Sequence, residues 1–263
     1  MRVFPNVKIN LGLHILRKRE DGFHDIETVF LPYYGFHDTL QVEASQEFSI
    51  SIGGPYYTGW NPETDLCARA YGLMRDSYGI APVRIELEKT SPVGAGLGGG
   101  SADAAFVLRA LSDMNGLNLP DRELETLAGR LGSDCAFFIR NRACFAEGRG
   151  EILSDLSLDL DGYEIRVDIP EGVSVSTKEA YCGVIPRSRR TGAGPSLREI
   201  LTVPVSGWKE ILENDFETSV FAAHPRIGAL KDRMYAEGAV YAAMSGSGSA
   251  VFGLFDVRPD SSK

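Results

Sequence analysis

Residues 92–105 read PVGAGLGGGSADAA and contain the densest run of glycines in this chain. Five glycines fall between Gly94 and Gly100, and helix-forming, apolar residues follow directly. Glycine takes positive φ angles without a steric penalty, so successive backbone N–H groups can curve around an anion. The following helix adds free N–H donors and a partial positive charge at its start. The stretch therefore predicts a polyphosphate-binding loop that leads into a helix, with Ser101 as the N-cap residue.

Two common nucleotide-binding motifs do not account for this stretch. Gly94, Gly96 and Gly99 match the G-x-G-x-x-G pattern of dinucleotide-binding proteins. However, residues 83–89 alternate between apolar and polar, whereas the strand before a Rossmann loop reads as a continuous apolar run. Gly100 stands where a Walker loop has its lysine. Any lysine that serves the chemistry must then come from another part of the chain.

Size and composition narrow the class of protein. The chain has 263 residues, enough for one large domain or two small ones. Its net charge of −9, without a basic stripe, argues against a nucleic-acid partner. The four cysteines and four histidines are scattered, which suggests neither a zinc site nor a disulfide framework. There is no 18-residue apolar run and no signal-type N-terminus, so we expect a cytoplasmic protein without a membrane partner.

The first strand is predicted over residues 7–15, which alternate between apolar and polar. Lys8, Asn10 and His14 share one face of it. From the alternation alone a solvated polar face is favoured, because antiparallel sheets commonly leave one side wet. A turn signal at residues 19–22 predicts that residues 23–30 return antiparallel beside this strand.

The rest of the chain mixes strands and helices. Strands are predicted at residues 39–44, 48–52, 83–89, 143–146, 163–169, 239–243 and 250–255, and helices at residues 61–78, 101–114, 120–131, 176–181, 208–213, 215–222 and 225–237. The stretch from residue 148 to about residue 161 is rich in Gly, Asp and Ser. It predicts a domain boundary near residue 150.

Three polar segments allow more than one interpretation. Asp134 follows a helix end and either caps the next turn or has a functional role. Residues 245–249 form either a second phosphate-facing wall or a plain hairpin turn. The arginine-rich residues 186–192 predict a solvated loop, with phosphate contact as the alternative. Residues 258–263 are predicted to be disordered.

In their order along the chain, these motifs resemble those of the GHMP small-molecule kinases. The resemblance spans nearly the whole chain and is carried by VKINL at residues 7–11, DGFH at 21–24, the 92–105 stretch, GSD at 132–134, NDFE at 214–217 and MSGSGS at 244–249. It implies an α+β fold of two domains, residues 1–150 and 151–263, with the active site in the cleft between them. It also implies transfer of the γ-phosphoryl group of ATP, with Mg²⁺, to a hydroxyl of a small molecule that carries a cytidine diphosphate, in isoprenoid precursor biosynthesis.

The resemblance further assigns roles to residues of this chain. Lys8 and Asp134 are the implied catalytic pair. The implied ATP-binding residues are Pro92, Val93, Gly94, Ala95, Gly96, Leu97, Gly98, Gly99, Gly100, Ser101 and Ala102. The implied substrate-binding residues are Asn10, Phe23, His24, Thr177 and Tyr181. We expect the protein to be a monomer or a homodimer.

Two residues depart from the family pattern. Phe23 stands where the family usually has a tyrosine, so a hydrogen bond from that hydroxyl is lost while ring stacking survives. Ala102 stands where the family usually has a second serine, which weakens any role for a hydroxyl at that position. Three alternatives remain open: another GHMP kinase that acts on homoserine, mevalonate or a sugar, a nucleotide-binding regulator without catalysis, and a dinucleotide oxidoreductase.

Overall fold

The computed structural model describes residues 1–189 and 194–257 and mixes helices with sheets, as the sequence predicts. The strands are β1 (Arg2–Val3), β2 (Asn6–Lys18), β3 (His24–His37), β4 (Thr39–Ala44), β5 (Ser49–Gly53), β6 (Val83–Glu88), β7 (Cys144–Gly148), β8 (Ile152–Asp155), β9 (Tyr163–Asp168), β10 (Tyr241–Met244) and β11 (Val251–Asp256). The α-helices are α1 (Leu66–Tyr78), α2 (Gly99–Met114), α3 (Asp121–Gly129), α4 (Cys135–Arg140), α5 (Thr177–Cys182), α6 (Leu197–Ile200), α7 (Glu217–Ala223) and α8 (Pro225–Ala236). Short 3₁₀ helices span Pro62–Thr64, Arg187–Arg189 and Val205–Glu210. Among the described residues, no helix has the length and apolar character needed to cross a membrane.

The chain divides into two compact units. Unit 1 comprises Met1–Lys8, Pro32–Val93 and Leu97–Arg142, and unit 2 comprises Ile9–Leu31, Gly94–Gly96 and Ala143–Lys263. Each unit therefore gathers segments that are distant in sequence. The predicted division into residues 1–150 and 151–263 stays a prediction.

Unit 1 is built on a four-stranded sheet in the order β1-β4-β6-β5. β4 lies antiparallel between β1 and β6, and β5 runs parallel to β6. β6 alternates strictly between buried and exposed residues, as predicted. The inward-facing Ile85 and Leu87 are buried, and α2 packs against β4 and against α1, α3 and α4.

Unit 2 contains the sheet β10-β11-β9 and the greater part of the sheet β2-β3-β7-β8. β10 and β11 form an antiparallel hairpin, and α8 packs against both strands. β7 pairs antiparallel with β3 on one side and with β8 on the other. The unit 2 core is a cluster of buried apolar side chains that joins the start of the chain to its end, and it includes Leu13, Ile15, Ile26, Val175, Phe216, Val220, Ile227, Met234, Met244, Val251 and Phe255.

The polar face of the first strand is buried, contrary to what its alternation favours. Lys8 is 4% exposed, Asn10 is 3% exposed and His14 is fully buried. Both faces of this part of β2 are buried. The alternation of apolar and polar residues therefore predicts the strand but not whether its polar face is exposed to solvent. The predicted neighbour is correct: β3 lies beside β2 after the turn that follows Lys18, and so short a connection joins antiparallel strands.

Two helix starts differ from the prediction because of local capping. The predicted helix at residue 61 is a 3₁₀ turn, and α1 begins at Leu66 because the side chain of Asp65 accepts the N–H of Cys67 at 2.8 Å. α2 begins at Gly99 rather than after Ser101. Its N-cap is Gly98 in the left-handed region, with a φ of 71°, and no side chain caps the helix.

One strand was not predicted, and one loop prediction needs correction. The stretch from residue 148 to about residue 161, for which a domain boundary is predicted, contains β8, whose Leu153 pairs with Ala146 of β7. Arg187, predicted to be solvated, is only 8% exposed and forms ion pairs with Asp215 and Glu213, while Arg189 is exposed as expected. The rest of that loop at residues 190–193 and the predicted disorder at residues 258–263 lie outside the described residues.

Candidate active site

Lys8 and Asp134, the predicted catalytic pair, lie together in unit 1. Lys8 comes from β2 and Asp134 immediately precedes α4, and the distance from Lys8 Nζ to Asp134 Oδ2 is 3.5 Å. The lysine side chain is 4% exposed, whereas the aspartate side chain is 32% exposed. Asp134 occupies the N-cap position of α4, but its side chain makes no capping hydrogen bond. The local alternative that Asp134 serves as a cap is therefore not supported.

Burial governs the electrostatics of this pair. It lowers the pKa of Lys8 below that of a free lysine, because the charged ammonium loses water, and the charge of Asp134 offsets only part of that effect. An ammonium with a lowered pKa next to a solvent-accessible carboxylate is suited to proton transfer and charge neutralisation. A perturbed pKa beside a specific charge partner marks the pair as a candidate catalytic site.

The part of the glycine segment that belongs to unit 1 ends at the start of α2. Gly98 adopts positive φ, and a Cβ atom at this position would lie 3.2 Å from Lys8 Cε. The glycine thus allows the lysine side chain to approach the start of the helix. The first turn of α2 has neither a side-chain cap nor an acidic residue, which suits anion binding by its N–H groups. Ser101 lies within this turn and hydrogen-bonds Cys135, so it is not the N-cap.

The other residues predicted to bind ATP differ in exposure. Val93 is 52% exposed, whereas Pro92 is buried. Gly96 belongs to unit 2 and lies against the 245–249 loop, where Ser245 Oγ donates to Gly96 O at 3.1 Å. A Cβ atom on Gly96 would lie 2.2 Å from Ser245 O, so only glycine fits there.

The 245–249 loop does not present all of its hydroxyls to a ligand. Ser245 is fully buried, and its Oγ also accepts the N–H of Asn10 at 3.1 Å. Ser249 Oγ donates to Val173 O at 2.9 Å. Both hydroxyls hold protein backbone, which disfavours the interpretation of these two serines as a phosphate-facing wall.

The predicted substrate-binding residues all lie in unit 2. The rings of His24 and Tyr181 stack with their centroids 4.6 Å apart and their planes 15° apart. Phe23 is 54% exposed, and the Arg149 guanidinium lies 4.8 Å from its ring centroid. Burial lowers the pKa of His24, and Lys18 adds to the effect, which favours the neutral imidazole that can donate and accept hydrogen bonds at once. This aromatic group is suited to a flat heterocycle.

Asn10 and Thr177 complete the predicted set. Asn10 Nδ2 donates to Thr28 Oγ1 at 3.1 Å, and the residue is almost fully buried. Thr177 Oγ1 lies 3.3 Å from Ser247 Oγ. The hydrogen bond to Thr28 therefore fixes the orientation of the Asn10 side chain. The hydroxyl of Thr177 is exposed and contacts the hydroxyl of Ser247.

Two buried ionic groups were missed by sequence reasoning. One is formed by Lys89 with Asp38 and Asp103 in unit 1, and the other by Arg187 with Asp215 in unit 2. The signal for Lys89 is present in the sequence, because the alternation of β6 places residue 89 on the same face as the buried Val83, Ile85 and Leu87. No comparable local signal marks Arg187.

A metal site made of protein side chains alone is not found in the part of the chain that the structure describes, where no three His, Cys, Asp or Glu residues form a suitable group. Mg²⁺ in phosphoryl-transfer enzymes typically uses one or two carboxylates together with substrate phosphates and water. The partly exposed Asp134 beside the uncapped start of α2 is compatible with that mode of binding.

Comparison with protein families matches two parts of the chain. Residues 65–142 match the GHMP kinases N terminal domain, and residues 205–262 match the GHMP kinases C terminal domain. A relative from Bacteroides thetaiotaomicron, named 4-diphosphocytidyl-2-C-methyl-D-erythritol kinase, is 49% identical over 260 residues, which cover 97% of this chain and 92% of that relative.

Comparison with solved structures also finds similar kinases. The chain is similar to a crystal structure of 4-(cytidine 5'-diphospho)-2C-methyl-D-erythritol kinase, with a TM-score of 0.80 and 37% identity, covering 97% of this chain and 90% of that one. It is also similar in fold to the Methanococcus jannaschii mevalonate kinase, with a TM-score of 0.67 at 13% identity over 97% of this chain and 90% of that one.

Proposed function

Because this chain belongs to the GHMP kinase family, we propose that it transfers the γ-phosphoryl group of ATP to the C2 hydroxyl of 4-diphosphocytidyl-2-C-methyl-D-erythritol, giving the 2-phosphate and ADP. The reaction belongs to non-mevalonate isoprenoid precursor synthesis. The observation that carries the proposal is the buried Lys8 ammonium 3.5 Å from the accessible Asp134 carboxylate, in a chain 49% identical to a kinase of that name.

The uncapped start of α2 supports ATP binding by the glycine segment. Phosphoryl transfer needs little covalent chemistry from the protein, and its main requirements are alignment and charge stabilisation. Within the segment 92–102, the N–H groups of Gly99, Gly100 and Ser101 would bind the phosphates, because Gly98 leaves the first N–H groups of the helix without a side-chain partner. Mg²⁺ would neutralise charge on the phosphates when bound.

Asp134 would accept the proton of the attacking hydroxyl. It is the more exposed member of the pair, so a substrate hydroxyl can reach it, and a positioned base of this kind typically contributes about 10²–10⁴-fold to the rate. Lys8 would pair with the carboxylate and neutralise charge that develops on the transferred group.

The cytidine end of the acceptor would contact the aromatic group of unit 2. Phe23 and Tyr181 offer ring faces, and the neutral His24 offers a donor and an acceptor for the edge of a pyrimidine. Asn10 and Thr177 would contribute polar contacts. Replacement of the family's tyrosine by Phe23 keeps the ring and removes one hydroxyl.

Further assignments follow from the sequence and stay predictions. We expect Mg²⁺ to be required, because phosphoryl transfer from ATP generally needs it. We also expect a cytoplasmic location, no nucleic-acid or membrane partner, and a monomeric or homodimeric state.

The test is ATP turnover by the purified protein with Mg²⁺ and each of four acceptors: 4-diphosphocytidyl-2-C-methyl-D-erythritol, mevalonate, homoserine and galactose. We expect turnover with the cytidine compound alone. Asp134→Asn is the matched variant, and it should lose about 10²–10⁴-fold in kcat while binding ATP normally. Turnover of mevalonate or homoserine instead would assign a different GHMP kinase activity. ATP binding without turnover of any acceptor would favour a regulator. A fully active Asp134→Asn variant would refute the assignment of Asp134 as the general base.

A further inference from the structure

A buried ionic group lies beneath the start of α2, and we call its four residues, Asp38, Lys89, Ser91 and Asp103, the Lys89 cluster. All four are at most 2% exposed. The Lys89 ammonium donates to Asp38 Oδ2 and, at 2.6 Å, to Asp103 Oδ2. Lys89 therefore bridges two carboxylates that belong to different elements of unit 1, because Asp38 follows β3 and Asp103 lies in α2.

Asp38 in turn fixes the backbone that leads into the glycine segment. Its Oδ1 accepts the N–H groups of Thr90 and Ser91, both at 2.7 Å, and its Oδ2 accepts the Ser91 hydroxyl at 2.6 Å. The next residue along the chain is Pro92, with which the segment begins. One carboxylate thus determines where the segment starts.

The cluster also touches the first residue of α2. A Cβ atom built on Gly99 would lie 2.8 Å from Ser91 Oγ, 3.5 Å from Lys89 Nζ and 3.7 Å from Asp38 Oδ2. Asp103 lies one turn further along the same helix. The two ends of the proposed phosphate loop, its entry at Pro92 and its exit into α2, are therefore joined through the Lys89–Asp103 bridge.

Stability alone does not explain this arrangement. Apolar residues of similar volume commonly replace a buried ion pair without loss of stability. Here, moreover, Asp103 Oδ1 is buried without a hydrogen-bond partner among the described residues, which is unfavourable. Burial raises the pKa of Asp103 well above that of a free aspartate, while the two carboxylates outweigh burial and raise the pKa of Lys89. The protein therefore has an ionic bridge at a position where apolar side chains would be at least as stable.

We propose that Lys89 is a positioning residue for ATP, which acts through Asp103 to hold the first turn of α2 at the orientation that its N–H groups need to bind the phosphates. Lys89 itself touches no substrate. The proposal rests on the proposed function. It adds Lys89 as a residue that controls ATP affinity without contacting the nucleotide.

Nucleotide binding without any acceptor tests this role. Asp103→Ala removes the bridge to α2 and leaves Lys89 paired with Asp38, so no unbalanced charge is created. We expect the dissociation constant for Mg²⁺-ATP, measured by calorimetry, to rise about tenfold or more, because small displacements of binding groups are expensive. The acceptor KM should stay unchanged. Asp103→Asn keeps an oxygen that can accept from Lys89 and should largely restore ATP affinity.

A second variant and a control make the test decisive. Asp103→Leu removes the same bridge, again leaves Lys89 paired with Asp38, and should weaken ATP binding as Asp103→Ala does. Because the larger side chain leaves no cavity, this variant carries the test if Asp103→Ala does not fold. Glu125→Leu with Arg140→Met removes another close ion pair of unit 1, with an Nε to Oε1 distance of 2.6 Å, and should leave ATP affinity unchanged.

Unchanged ATP affinity in folded Asp103→Ala, or an equal loss in acceptor binding, would overturn the positioning role. Failure of the proposed function has a different signature. In that case the unaltered protein binds Mg²⁺-ATP but does not phosphorylate the cytidine compound, while the Asp103 variants still report on the loop.

Discussion

Lys8 combines burial with charge, and this combination has consequences for stability as well as for catalysis. Its side chain is 4% exposed and its pKa is lowered by burial. The folded state therefore binds fewer protons than the unfolded state in the pH window between the lowered pKa and the ordinary value of 10.5. Below that window the lysine is charged in both states and destabilises the fold, and the penalty disappears as the pH rises through the window.

We accordingly predict that Lys8→Met abolishes turnover yet makes the protein more stable at pH 7. The gain should be about 0.5–2 kcal/mol in the free energy of unfolding, the range common to single stabilising substitutions. Urea unfolding at pH 7 and again near pH 10 provides the measurement, and the difference from the unaltered protein should shrink at the higher pH. A variant that is less stable at pH 7 would show that the ammonium contributes favourably to folding.

For single residues, the sequence predicts which side chains lie together better than it predicts whether they are buried or exposed. The spacing of β2 predicts that Lys8, Asn10 and His14 share a face, and they do, but a period of two cannot say that this face is covered. Asp134 offered two equal local interpretations, and only its missing capping hydrogen bond removes one of them. The catalytic assignment of both residues stays a prediction drawn from the family resemblance.

Gly96 illustrates how one element limits the residue that another can carry. Its φ is +78°, and an added Cβ would lie 2.2 Å from Ser245 O, which is a backbone atom that cannot rotate away. We predict that Gly96→Ala lowers the free energy of unfolding by about 2 kcal/mol or more, because strain in φ and overpacking act together. Thermal unfolding followed by circular dichroism measures the effect.

The matched control for that change is Gly72→Ala. Gly72 lies inside α1 with open space around its Cβ direction, so alanine should raise stability by roughly 0.5–1 kcal/mol. The same substitution thus has opposite expected signs at the two positions. Equal effects at both would contradict the close approach of Gly96 to the 245–249 loop.

Arg187 gives a second prediction at the scale of elements. Its guanidinium donates to both oxygens of Asp215, at 3.0 and 2.9 Å, and Asp215 Oδ2 also accepts the N–H of Ile15. Arg187→Met should destabilise the protein by about 3–5 kcal/mol, because it leaves a buried carboxylate without its cation. Arg189→Met, two residues away and exposed, should change stability by less than about 0.5 kcal/mol. Chemical denaturation of both variants measures the two effects. Equal denaturation midpoints for the two variants would show that Arg187 is solvated rather than buried.

The elements themselves were largely predictable because their signals are local. The alternation of β6, the cap at Ser176 that starts α5 and the hairpin of β10 and β11 all follow from patterns within a few residues. The failures have long-range causes. β8 exists because it pairs with β7, and Arg187 is buried because a partner 28 residues away in sequence requires it.

At the scale of the molecule, the two units are not successive pieces of the chain. Unit 2 includes Ile9–Leu31 as well as everything from Ala143 onward, and β7 and β8 pair across residue 150, with Glu147 opposite Ile152. We predict that the fragments 1–150 and 151–263, produced separately, do not unfold cooperatively. Each would lack strands that its core requires.

Circular dichroism melts and amide proton spectra of the two fragments would decide this point. The intact chain is the control and should give a sharp melt and dispersed amide signals. A fragment with a sharp melt and dispersed amide signals would establish residue 150 as the boundary of an independently folding domain, as the sequence suggested.

The unit 2 core also has a consequence for how the protein is made. Leu13 and Ile15 pack with Val251 and Phe255, which are synthesised much later. About 240 residues separate Ile15 from Phe255, so at roughly 5–20 residues per second the emerging strand waits roughly 10–50 s for its partners. The core of unit 2 can therefore close only after residues 251–255 have been synthesised, and during that interval β2 is a natural client for a chaperone that shields apolar segments.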